Sequence, residues 1–204
     1  VCDKHEYPWS QTSLNSLIIG YVKCGKPSHA LKLYQKVSWH CDHDKYHINE
    51  YALGALLKAC IETRDIKQGR HIHAGIVQRR LLEDNVFLGS ALVGMYAKCG
   101  FISDAQEVFD MLMIRNVVLW NTIISGYTEN GYIKEALDAF AYMQIEGISP
   151  DVVTFVSCLK AYGNNRDMSK GKEMHVEISR KDAISKNLFI KSSLINMYAK
   201  CGSP

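Results

Sequence analysis

Between residues 117 and 151 the apolar positions follow a helical rhythm rather than an alternating one. Val118, Ile123, Ile124 and Tyr127 lie at helical spacing in a first segment. Ile133, Ala136, Leu137, Phe140 and Met143 then make an i, i+3, i+4, i+7 stripe. Asn130-Gly131 supplies a left-handed cap between the two, and Gly147 with Pro150 stops the second. The pattern predicts a pair of helices joined by a tight turn. Ala30, Ala105 and Ala136 are small residues placed where the two helices of a pair must approach closely. One pair cannot bury its own stripe, so pairs must stack. The expected fold is all-α, a right-handed αα superhelical solenoid of helix-turn-helix repeats.

Self-comparison supports stacking. Met95-Tyr96-Ala97-Lys98-Cys99-Gly100 recurs unchanged as Met197-Tyr198-Ala199-Lys200-Cys201-Gly202, an offset of 102 residues. The same offset relates Leu57-Lys58-Ala59 to Leu159-Lys160-Ala161 and His73 to His175. Asn15 to Tyr21 matches Asn121 to Tyr127 at 106, which is the long period plus a four-residue insertion. Tyr-x-x-x-Gly recurs at Tyr21/Gly25, Tyr96/Gly100, Tyr127/Gly131 and Tyr198/Gly202 and subdivides the period. The units are read as 11–49, 50–85, 86–116, 117–151 and 152–187, with a truncated start at 188–204. Residues 1–10 stay an unassigned lead-in. The missing initial Met and the stop after Gly202 suggest a piece of something longer, so the lack of a leader says nothing about location.

Composition narrows function without deciding it. With 24 Lys and Arg against 21 Asp and Glu, the surplus is too small to argue for nucleic acid by itself. The apolar runs fall far short of the roughly 18 residues of a membrane span. Seven Cys without a C-x-x-C pair read as reduced thiols. No P-loop, G-x-S-x-G, H-E-x-x-H or H-x-E…C-x-x-C motif is found, so no catalytic constellation and no cofactor are expected.

Two helical families share this layout. Tetratricopeptide repeats fit Trp120, Ile123, Tyr127, Ala136 and Phe140 loosely, but Ile124 stands where that family has Gly, and unit lengths of 31, 35 and 36 break its uniform period. The closer match is to pentatricopeptide repeat proteins of the plant organelle type with alternating P, L and S repeats. V-V-L-W-N-T-I-I-S-G-Y-T-E-N-G-Y-I-K-E-A-L-D-A-F at 117–140 resembles a P-type repeat, as does 11–49 with its insertion. A-L-V-G-M-Y-A-K-C-G in 86–116 resembles an S repeat, and 188–204 its truncated copy. L-L-K-A-C and C-L-K-A-Y in 50–85 and 152–187 resemble L repeats.

The resemblance implies a partner, single-stranded RNA, with one base matched to each repeat by its fifth and last residues while the second packs against the base. Carried over, the fifth residues are Asn15, Gly54, Ser90, Asn121, Val156 and Ser192, and the last are Asn49, Asn85, Asn116, Asp151 and Asn187. The packing residues are Thr12, Tyr51, Phe87, Val118, Val153 and Phe189. An acceptor-only Asp suits a base with a ring N–H, and an Asn amide suits a ring acceptor beside an amine. The expected target is 5′-C-n-A-U-n-3′. The resemblance further implies a chloroplast or mitochondrial setting, site selection for cytidine-to-uridine editing or RNA processing, other proteins of that machinery as partners, no membrane, and a deaminase only in a C-terminal extension. A peptide-binding scaffold is the competing expectation.

Several features have plainer readings. Terminal Asn and Asp are also good helix caps. Cys24, Cys99 and Cys201 share one repeat position and read as small buried residues. His71, His73 and His175 read as interface or surface histidines. His40, Cys41, His43 and His47 lack regular zinc spacing, so no metal is assigned. Arg64, Lys67, Arg70, Arg79, Arg80, Lys170, Lys172, Arg180 and Lys181 read as a solvated face, with phosphate contact as the alternative.

Overall fold

A computed structural model describes residues 11–40, 48–83 and 85–202. The regular structure among them is helical. Two compact units meet in the chain between Met95 and Tyr96. The first holds α1 (Gln11–Lys23), α2 (Pro27–His40), α3 (Glu50–Thr63), α4 (Ile66–Gln78) and most of α5 (Val86–Lys98). The second holds α6 (Ile102–Met111), α7 (Val117–Glu129), α8 (Ile133–Ile145), α9 (Val152–Asn165), α10 (Met168–Ser179), the single turn α11 (Asp182–Ser185) and α12 (Leu188–Lys200).

Stacking follows one rule in each unit. First helices pack on first helices, α1 on α3 in one unit and α7 on α9 on α12 in the other. Second helices fill the notch between their own partner and the next first helix: α2 touches α1 and α3, and α8 touches α7 and α9. This is the helix-pair solenoid arrangement, each pair covering the apolar stripe its neighbour leaves open. Ala30, Ala105 and Ala136 are fully buried at the close approaches. In the second unit Phe140 and Phe155 meet at a centroid separation of 6.2 Å, and Trp120 presents its ring to Phe109 at 4.8 Å. Ile133 and Leu137, part of the expected stripe of α8, are only half-buried, and Ala139 takes an inward place instead.

The recurrent glycine terminates helices as its spacing implies. Gly100 has φ +87°, its N–H donates to Ala97 at 3.1 Å, and the Phe101 N–H reaches back to Tyr96 at 2.9 Å. Gly131 repeats this after α7, with φ +84°. A β-branched side chain is poor at positive φ, so Gly100→Val is expected to cost about 1–2 kcal/mol. Urea unfolding of the variant measures it, and an unchanged midpoint would show that the cap tolerates valine.

Two sequence expectations need correction. Cys24 is exposed, and Cys99 and Cys201 are half-buried, not core residues. They sit in the turn that ends a first helix, where the chain has left the packed interface. Among the described residues the buried thiols are Cys60 and Cys158, and burial pushes the Cys158 thiol well above its ordinary range. The turn α11 between α10 and α12 has no counterpart in the two-helix pattern.

Candidate nucleic-acid interface

The residues singled out by the repeat register gather at the N-terminal ends of the first helices. Their local structure has one cause. Asn49, Asn116, Asp151 and Asn187 are the N-caps of α3, α7, α9 and α12, each accepting a bond from a backbone N–H of the first turn. Asn85 does the same for α5, accepting from Leu88 N at 3.0 Å. In each cap the side-chain oxygen Oδ1 is the acceptor. The caps therefore leave a defined remainder, an Nδ2 donor on each Asn and the second carboxylate oxygen on Asp151. The Nδ2 of Asn85 goes to Glu50 at 3.3 Å.

Beside each cap stands an apolar side chain that water reaches. Tyr51, Phe87, Val118, Val153 and Phe189 are between 51% and 73% exposed. Thr12 is exposed as well. In the first unit Tyr51 and Phe87 form a tilted pair with centroids 6.0 Å apart. The Phe87 ring lies directly over Gly54, where an added Cβ would come within 2.7 Å of it. The glycine at this fifth position thus seats an aromatic ring, a relation that sequence reasoning missed. Its signal was the absence of any side chain one turn into α3.

The fifth residues divide by environment. Asn15 is buried and its Oδ1 accepts from the Asn49 backbone N–H at 3.1 Å, so the fifth and last residues of 11–49 are in contact. Asn121 is buried and its Nδ2 donates to Asp151 Oδ1 at 2.9 Å, which joins the fifth and last residues of 117–151. Ser90 carries a buried hydroxyl with no hydrogen-bond partner among the described residues. Its paired position Asn116 lies in the other unit, exposed at the cap of α7. Val156 is half-buried, and the adjacent Ser157 bonds to Ser125 at 2.8 Å. Ser192 is exposed on α12.

Asp151 is the most elaborated of these sites. Burial alone would push its carboxyl up. Bonds from the Thr154 backbone N–H and the Asn121 amide outweigh that and hold it below the ordinary carboxylate range. Thr154 also accepts from the Asp151 N–H, which completes a reciprocal capping box. The Asp-x-x-Thr spacing at 151–154 was the available sequence signal for it.

The basic residues are carried mainly by the second helices and the turns around them. Arg64, Lys67, Arg70, Arg79, Arg80, Lys170, Lys172 and Arg180 are exposed on the second helices and their turns. Arg79 is committed to the Ile48 carbonyl at 3.0 Å, and Lys170 to Glu173 at 2.8 Å. Lys98 pairs with Glu129 at 3.8 Å, and Lys200 donates to Asn164 at 2.7 Å. These ends of the first helices lie about 20 Å from the capping ends, given 1.5 Å per residue. His175 bonds to Tyr198 at 2.9 Å as an interface residue, and Tyr34 meets the exposed His71 edge-on. Among the described residues no group of His, Cys, Asp and Glu is placed to hold a metal. The side chains of His40, Cys41, His43 and His47 lie outside them. Among the described residues no helix is long and apolar enough to cross a membrane.

Comparison with known proteins finds one family of helical repeats along the chain. The PPR repeat model matches residues 12–39 and 90–117, and the PPR repeat family model matches 115–173. Two relatives from Arabidopsis thaliana are pentatricopeptide repeat-containing proteins. One is chloroplastic, 34% identical over 92% of this chain and 34% of its own length. The other is mitochondrial, 35% identical over 92% of this chain and 18% of its own length. Among solved structures, the pentatricopeptide repeat protein PPR10 in complex with an 18-nt psaJ RNA element superposes with a TM-score of 0.78 at 24% identity, over 96% of this chain and 28% of that one. Nuclear proteinaceous RNase P 2 of A. thaliana gives 0.62 at 16% identity, over 82% and 38%. The chain belongs to the pentatricopeptide repeat family. It spans 34% and 18% of the length of these two relatives.

Proposed function

We propose that this chain binds single-stranded RNA, reading one base per repeat, and serves as the site-recognition part of a plant organelle editing or processing factor of the P-L-S class. Repeats 11–49 and 117–151 are the P-type readers of C and U, and 86–116 is the S-type reader of A. The L repeats 50–85 and 152–187 read poorly, because Gly54 and Val156 offer no polar atom. The target is 5′-C-n-A-U-n-3′. The location is a chloroplast or mitochondrion, and the chain itself selects a site without catalysing a reaction. Catalysis in the whole protein would come from elsewhere in it or from a recruited deaminase.

The observation that carries this reading is the atom each cap leaves over. Capping consumes Oδ1 of every terminal Asn or Asp, so an Asn keeps a donor and Asp151 keeps an acceptor, each next to an exposed apolar side chain. A donor meets the ring acceptor of cytosine or adenine, and an acceptor meets the ring N–H of uracil. The apolar neighbour supplies a surface for the base face. The similarity to a protein solved with RNA supports the same reading.

Selection from a random single-stranded RNA pool at fixed salt tests it. Enrichment of C-n-A-U is expected. Binding without base preference would reduce the interaction to backbone contacts, and no binding by the chain would favour a protein-binding scaffold.

A further inference from the structure

The orientation of Asn121 is held from outside its own repeat. Thr154, in the first turn of α9, is fully buried. Its Oγ1 lies 2.6 Å from Asn121 Oδ1, 3.1 Å from Asp151 Oδ1 and 3.1 Å from the Asp151 backbone nitrogen. A hydroxyl has one proton to donate. The Asp151 N–H is itself a donor, so it takes a lone pair of Oγ1. The shorter of the two remaining contacts takes the proton, so Thr154 donates to Asn121 Oδ1. On the other side of the amide, Nδ2 donates to the acceptor-only carboxylate of Asp151 at 2.9 Å. Turning the amide over would set its oxygen against that carboxylate. A donor on one side and an acceptor on the other fix one of its two orientations, and one Nδ2 proton stays outside the network.

This device is particular to one place. The residue three beyond each of the other caps is Ala52, Leu88, Leu119 or Ile190, none with a hydroxyl. At the equivalent site in the first unit, Asn15 Oδ1 accepts from the Asn49 backbone N–H.

We propose that Thr154 is a positioning residue for base selection by repeat 117–151. It presents Asn121 as a hydrogen-bond donor beside Asp151 as an acceptor, and so sharpens the preference for uracil over cytosine although it belongs to the following repeat. The inference rests on the base reading proposed above.

The test uses the whole chain and two RNAs that differ only in U or C opposite repeat 117–151. Thr154→Val removes the hydroxyl at similar size, and its U-over-C affinity ratio is expected to fall about three- to tenfold, the worth of one hydrogen bond. Thr154→Ser restores the hydroxyl and keeps the ratio within about twofold of the parent by the same reasoning. The preference opposite repeat 11–49 stays unchanged in both. If the valine protein does not fold, Thr154→Ala replaces it, because alanine already occupies this register as the fully buried Ala52. Asp151→Asn, run alongside, separates the possible failures. If it shifts the ratio and loss of the Thr154 hydroxyl does not, the positioning role is overturned and base reading stands. If neither changes the ratio, base reading by this repeat fails and takes the inference with it. Equal loss in the serine and valine proteins would mean that Thr154 acts through packing, which also overturns the proposal.

Discussion

Gly126→Val is expected to lower the unfolding free energy by about 3 kcal/mol, while the same change at Gly20 stays within about 0.5 kcal/mol of the parent. The two glycines are the same residue of the same motif, Asn-Ser-Leu-Ile-Ile-Gly-Tyr at 15–21 and Asn-Thr-Ile-Ile-Ser-Gly-Tyr at 121–127. Both lie inside a first helix, so helix propensity treats them alike, and valine is slightly better than glycine there. Their neighbours differ. A Cβ on Gly126 would come within 2.7 Å of the Ala97 Cβ and 3.5 Å of Ile102. Ala97 has no rotamer with which to retreat, so the two backbones would have to part. Around Gly20 nothing lies within 4 Å of an added Cβ among the described residues. Denaturant unfolding of both variants checks the contrast. Equal midpoints would mean that the approach of α7 to Ala97 is looser than its geometry implies.

That pair also marks the boundary of what the sequence could tell. The period of Ile133, Ala136, Phe140 and Met143, the glycine stops and the repeated motifs were enough for helix pairs that stack, because each signal is local and recurs. Whether a given glycine is a contact or a gap depends on the helix laid against it, which no local pattern encodes. Cys24, Cys99 and Cys201 failed as core residues for the same reason. Hydrophobic small side chains at a repeated position read as buried, yet the position falls in a turn that the next pair does not cover. At the candidate interface, the register located the fifth and last residues. The capping role of the last residues was legible too, but not that Thr154 would join Asn121 and Asp151 in one network. That network arises across the seam between consecutive repeats, where residues 30 or more apart in the chain meet.

Asp151→Asn is expected to reverse the preference of repeat 117–151 from U to C, by about 1–3 kcal/mol of discrimination. The change is matched to the chemistry. Asparagine caps a helix about as well as aspartate, so α9 keeps its first turn and the fold is little affected. Its Oδ1 still accepts from the Thr154 backbone and from Asn121. What changes is the atom left over, an Nδ2 donor in place of a carboxylate oxygen. Opposite it, uracil offers a ring N–H and cytosine a ring acceptor, so the favourable and unfavourable pairings exchange. Paired affinities for the U and C RNAs measure the reversal, and an unaltered ratio would remove Asp151 from base reading. The pH dependence follows from the same carboxyl. Its hydrogen bonds hold it below the ordinary value near 3.8, so the stability it contributes is present above that value and is lost as pH falls through the lowered one. Between about pH 5 and 8 it stays an acceptor, and the U-over-C ratio of the parent should be flat. A ratio that titrates within that window would place base reading on a group other than this carboxylate.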